Sequence, residues 1–174
     1  MVVIVDVDYN EDTRCGHAAG VTADSLLARE ASGAVTATVG DVGEYIPGQF
    51  YRRELKCIDA VLRLLPMEAL DLIVVDGYAD SGTDHKTLGT YVFEAYGIPV
   101  IGVAKNRFDT WALPGAELLR GGSRKPLYVT SRGMDPARAR ELVANMFGKY
   151  RLPYLIKLAD AIARDWSYSP GGQG

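Results

Sequence analysis

The chain is poor in cysteine and histidine, with two of each in 174 residues. Cys15 and Cys57 cannot build a disulfide framework, so a reducing cytosol is expected. Neither sits in a Cys-x-x-Cys pair or a Cys/His cluster, which argues against zinc. No apolar run is long enough to span a membrane. No basic segment leads into an apolar stretch at the N-terminus, and the run there carries Asp6 and Asp8. It reads as a core strand and not as a signal peptide, so a cytoplasmic protein with no membrane partner is expected. A Gly-x-Gly-x-x-Gly phosphate loop is missing, which argues against an organic nucleotide cofactor. An excess of positive charge is missing as well. The net charge of −3 speaks against coating nucleic acid through bulk charge, but leaves room for a local basic groove. Neither an internal repeat nor a linker divides the chain.

What is present suits one globular domain. Apolar residues make up 48% of the chain, enough for a sizeable core. A single domain over 1–166 is expected, with 167–174 a flexible tail. Short β-branched runs predict strands over Val2–Tyr9, Ala18–Leu26 and Ala34–Val39, an antiparallel meander. Helical spacing predicts a helix from Arg52 to Leu65, through Leu55, Ile58, Val61, Leu62 and Leu65. Further strands are predicted over Leu72–Val75, Val100–Val103 and Pro126–Thr130. Further helices are predicted over Thr87–Tyr96, from Asp135-Pro136 onward, and over Tyr154–Arg164. A meander followed by alternating helices and strands makes an α/β mixed sheet flanked by helices. That order is ribonuclease-H-like. In such an arrangement the first strand lies centrally, beside the strand that follows the first helix.

Three carboxylates stand out in this frame. Asp6 interrupts the first apolar run, Asp76 ends the run Leu-Ile-Val-Val-Asp, and Glu54 opens the first helix. A carboxylate at the tip of a buried strand is costly to desolvate unless it is paired or binds a cation. Three gathered at one sheet edge would repel one another, and a divalent metal would relieve that repulsion. The pattern points to metal-dependent phosphodiester chemistry. Asp8 is expected on the opposite strand face, exposed and structural, and His17 on the surface. The basic groups Arg52, Arg53 and Lys56, and Arg120, Arg124 and Lys125, read as solvated.

The same segments resemble the endonuclease V family. Ile4-Val-Asp-Val-Asp-Tyr9 is similar to its first-strand Asp motif, Tyr45-Ile-Pro-Gly48 with Arg53-Glu54 to its wedge loop and second acid, and Val74-Val-Asp-Gly77 to its third acid. Pro99-Val-Ile-Gly-Val-Ala-Lys105 resembles its lysine strand. Pro126-Leu-Tyr-Val-Thr and Tyr150-Arg-Leu-Pro153 resemble its C-terminal segments. No single piece is specific; the joint order carries the likeness.

The resemblance implies cleavage of nucleic acid on the 3′ side of deoxyinosine, as in repair of deaminated adenine in DNA, with inosine in RNA as a further substrate. It implies Mg²⁺, or Mn²⁺ in its place, held by Asp6, Glu54 and Asp76, with Lys105 steadying the scissile phosphate. It implies a wedge from Tyr45, Pro47 and Gly48, and substrate contacts from Gly77, Gly89 and His85. Two departures accompany it. Tyr78 and Ala79 replace a histidine and a glycine of the family. The histidine expected near the metal after the Pro126 strand is absent, with Asp135 a candidate oxygen donor there. The alternatives are a nuclease of the same fold with another substrate, and a non-catalytic nucleic-acid-binding homologue.

Overall fold

A computed structural model describes residues 1–43, 51–108 and 113–168. Seven strands form one mixed sheet: β1 (Val2–Asn10), β2 (Cys15–Ala23), β3 (Gly33–Val39), β4 (Leu72–Asp76), β5 (Val100–Ala104), β6 (Glu117–Leu118) and β7 (Leu127–Arg132). Their spatial order is β3-β2-β1-β4-β5-β7-β6. The first three strands form the expected meander. β4 then lies parallel to β1, with Val5 beside Val75, and β5 lies parallel to β4. β7 returns antiparallel.

Period-two alternation sends successive side chains to opposite faces. Val3, Val5, Ile73 and Val75 pack beneath α1 (Tyr51–Leu62) and α2 (Leu88–Tyr96). Val2, Ile4, Leu72, Val74, Ile101 and Val103 pack beneath α3 (Pro136–Asn145) and α4 (Tyr154–Arg164). Asp6, Asp76 and Lys105 continue the second set of rows.

Local chemistry sets the helix ends. Thr87 caps α2 in a reciprocal box with Thr90, and Gly97 stops it at φ 67°, a left-handed conformation that glycine adopts without penalty. Asp135 caps α3 by accepting from the Ala137 N–H, with Pro136 in the first turn.

Several expectations need correction. β2 begins three residues earlier than predicted and ends at Ala23, because Asn10 pairs with Cys15 across a tight turn. α1 stops at Leu62. The amides of Leu64 and Leu65 bond three residues back instead, and Pro66 disfavours helix before it. β6 was not foreseen, since two residues carry no periodicity. His17 is buried, not on the surface. Asp8 shares a face with Asp6, since residues two apart on a strand point the same way; it accepts from Trp166 Nε1 at 2.7 Å. Arg53 is buried rather than solvated.

Gly102 in β5 lets the chain after Asp76 lie against the sheet. A methyl group there would meet the Ala79 nitrogen at 2.3 Å and the Gly77 oxygen at 2.5 Å, both backbone atoms that cannot rotate away. Gly102→Ala is expected to destabilise the fold by about 1–3 kcal/mol. Gly40→Ala, with open space around it, serves as the control. Urea denaturation of the two variants checks this; equal midpoints would show that the 77–79 segment yields freely.

Candidate active site

Asp6 lies in β1, Asp76 ends β4, and Lys105 follows β5. Parallel pairing of β1, β4 and β5 in register puts all three at the same sheet end. Glu54 enters from the first turn of α1. Arg53 fixes that turn: its buried guanidinium forks onto the Glu11 carboxylate, at 3.0 and 3.4 Å, and lies over the Tyr9 ring at 4.4 Å. A fork of this kind holds its partners in one geometry.

The electrostatics show one shared field. Burial, then the charge of Asp76, raises the Asp6 carboxyl from 3.8 to about 7, against the opposing pull of Lys105 and the Val7 N–H. Burial, then Asp76 and Asp6, raises Glu54 from 4.5 to about 8. Lys105 Nζ donates to Asp76 Oδ2 at 2.7 Å and lies 3.7 Å from Asp160 Oδ1. Burial opposes the charge on Lys105, yet its bond to Asp76 and the charges of Asp76, Asp6 and Asp160 hold its pKa above the ordinary value.

Asp160 was not foreseen. It belongs to α4, whose buried face carries Leu155, Ile156, Ala159, Ile162 and Ala163. An acid flanking that apolar stripe was the available signal, since half-buried carboxylates need a partner. Asp135, the candidate donor after β7, also caps α3. Arg151 was missed too. Its guanidinium donates to the carbonyls of Lys105 and Pro126, fixing the backbone that carries the lysine.

The remaining expected positions divide. Gly77 follows Asp76 at φ 131°, with nothing within 4 Å of where a Cβ would stand, so the space beside it is open. Gly89 faces Ala79 instead; a Cβ there would meet the Ala79 Cα at 2.6 Å, so the close approach it permits is to the chain itself. Tyr78 is buried, its hydroxyl donating to the Asn106 carbonyl and accepting from the Phe108 N–H. Ala79 donates to Thr130 Oγ1 at 2.7 Å. Both departures from the family pattern thus brace the loop. His85 is exposed on the segment before α2, its carbonyl accepting from Ser81 Oγ. Tyr45, Pro47 and Gly48 lie outside the described residues.

Among the described residues, no three His, Cys, Asp or Glu side chains stand close enough to ligate one ion as placed. The donor chemistry still suits a hard divalent cation. The donors are carboxylates, two of them pushed towards neutrality by burial and mutual repulsion, and that is the condition a cation relieves.

The comparisons agree with this frame. A family model described as Endonuclease V matches residues 1–117. Endonuclease V of Streptomyces avermitilis is 32% identical over 182 residues, spanning 92% of this chain and 77% of that protein. The solved structure of an endonuclease V from the same organism is similar at a TM-score of 0.76 and 29% identity, covering 94% of this chain and 79% of that one. Endonuclease V of Ciona intestinalis, solved with a 24mer DNA containing an inosine followed by a ribo-adenosine, shares the fold at a TM-score of 0.76 and 18% identity, covering 94% and 83%. The family match stops before α4, but the structural likeness continues through most of the chain. Sequence and fold therefore place this chain in the endonuclease V family, as an endonuclease built on a ribonuclease-H-like sheet.

Proposed function

We propose that the protein is a metal-dependent endonuclease that hydrolyses a phosphodiester bond on the 3′ side of deoxyinosine in DNA, with inosine-containing RNA as a further substrate. The observation that carries this reading is the shared electrostatic field of Asp6, Glu54 and Asp76, with Lys105 bonded to Asp76 and near Asp160. Family membership supports the chemistry. The inosine-containing DNA bound by the Ciona relative supports the substrate.

Asp6, Glu54 and Asp76, joined by Asp160, would hold Mg²⁺ or Mn²⁺. Such an ion would supply an activated water and offset charge on the phosphate. The chain's own groups do the rest. The Lys105 ammonium, kept charged by its acidic neighbours, stabilises negative charge growing on the phosphate. Arg151 keeps the lysine backbone in place. Burial of Asp6 and Glu54 makes cation binding release protons. Open space beside Gly77 admits an extruded base, and Gly89 acts by seating Ala79 beneath it. His85 reaches the nucleic acid from the exposed loop. Tyr45, with Pro47 and Gly48, fills the gap left in the duplex, since an aromatic ring can replace part of the lost stacking.

An inosine-containing duplex is expected to be nicked in Mg²⁺ and untouched in EDTA. Asp76→Asn should slow nicking by at least about 100-fold, Lys105→Ala by about 100-fold or more, and Asp160→Asn by roughly 10- to 100-fold. A denaturing gel of a labelled strand reads all of these. Nicking that survives Asp76→Asn rules out the assigned site.

A second expectation concerns pH. Asp6 and Glu54 titrate near 3.8 and 4.5 when unfolded and near 7 and 8 when folded without metal. Between those values the folded state binds more protons than the unfolded one, so stability falls as pH rises. The metal-free protein should therefore lose stability from about pH 4 to about pH 8, and Mg²⁺ should restore part of it at the alkaline end. Glu54→Gln should flatten the slope. Urea denaturation in EDTA across that range is the measurement, and a metal-free stability that climbs instead would contradict the shared field.

A further inference from the structure

The connection from α3 to α4 and the first residue of α4 leave three aromatic rings partly in solvent. Phe147, Tyr150 and Tyr154 are 42%, 56% and 40% exposed. They border a groove of about 640 Å³ floored by Leu152, Leu158 and Ala161. Phe147 and Tyr154 meet edge to face at 6.0 Å. Cations edge these rings. Lys149 and Lys157 Nζ lie 5.1 and 5.2 Å from the Tyr150 ring centre. Arg29, from the β2–β3 connection, lies 5.3 Å from that of Phe147.

The platform is rigid. Arg120 donates to the carbonyls of Ala144, Met146, Gly148 and Tyr150. It is also continuous with the candidate active site. Arg151, next to Tyr150, holds the Lys105 carbonyl. Lys157 precedes Asp160 on α4 by three residues, about one helical turn.

We infer that this groove seats unpaired bases of the nucleic-acid strand that passes through the carboxylate cluster, with bases on the rings and phosphates on Lys149, Lys157 and Arg29. The choice of occupant rests on the nuclease reading; the surface itself supplies the chemistry. Stacking on exposed aromatics with flanking cations is how proteins hold single strands without reading sequence. Charge complementarity favours a polyanion. The neighbouring carboxylates repel phosphate, and cations at their border offset that repulsion. A chain of net charge −3 gathers three cations around three solvent-facing rings here. An apolar peptide would use the rings and leave the cations idle.

Fluorescence anisotropy of a labelled oligothymidylate with the full chain, in EDTA, tests this. The wild type should bind. Tyr150→Ala should weaken binding by about tenfold or more, and Tyr150→Phe by no more than about twofold, because phenylalanine still stacks. The pair Lys149→Gln with Lys157→Gln should lower the slope of log affinity against log salt by about 1.4. If Tyr150→Ala fails to fold, the lysine pair and Tyr150→Phe decide the matter. Failure of the wild type to bind, or equal affinity and salt slope across the variants, overturns the inference. So does a wild-type dimer in sedimentation that Tyr150→Ala dissociates without altering binding, which would assign the groove to a second copy. Groove-dependent binding by a protein that never nicks inosine-containing duplex would sink the nuclease reading alone. Nicking with groove-independent binding would sink the groove alone.

Discussion

Parallel pairing of β1 with β4 sets two aspartates side by side at the end of a buried sheet. Two negative charges brought out of water at that separation repel each other and lose hydration together. The surrounding structure answers that tension. Lys105 reaches from the next strand and bonds Asp76. Glu54 and Asp160 add further carboxylates, Asp160 held in part by Arg164 at 3.2 Å. A site in this condition gives up some stability in exchange for a high appetite for further positive charge. That appetite is what a phosphodiester-cleaving centre needs, because its ion must be held by groups that cannot satisfy one another.

The groups around the cluster hold these side chains from behind. Arg53 clamps the first turn of α1 through Glu11 and Tyr9. Arg151 ties the Lys105 backbone to Pro126. His17 Nδ1 donates to the Ala163 carbonyl at 2.7 Å and packs its ring 5.2 Å from Trp166, which itself donates to Asp8. The C-terminal end of α4, the helix of Asp160, is therefore pinned by β1 and β2. Losing one such buried bond costs on the order of 1–3 kcal/mol.

Much of this was legible in the amino-acid order. β1, β4 and β5 read as buried strands because they are short and rich in β-branched residues, and Asp6 and Asp76 stood out because one interrupts and the other ends such a run. Lys105 followed by the same logic. Asp160 was hidden because Lys105 is distant in the chain and an i,i+4 pair with Arg164 is what an ordinary solvated helix acid makes. Asp135, the candidate donor in place of the missing histidine, also caps α3 from its place before Pro136. His17 and Arg53 were misjudged for a related reason. Polarity suggested solvent, but a carbonyl at a helix end and a carboxylate fork made burial affordable. β6 is too short to leave any pattern.

Asp6 and Asp160 sit near opposite ends of the chain and meet only when α4 docks on β1. Domains emerge from the ribosome N-terminal part first. A copy interrupted between Lys105 and Arg151 would carry Asp6, Glu54 and Asp76 without Asp160 or the Arg151 brace on the Lys105 carbonyl. Such a molecule would leave Lys105, among the described residues, with Asp76 alone as a close anionic partner.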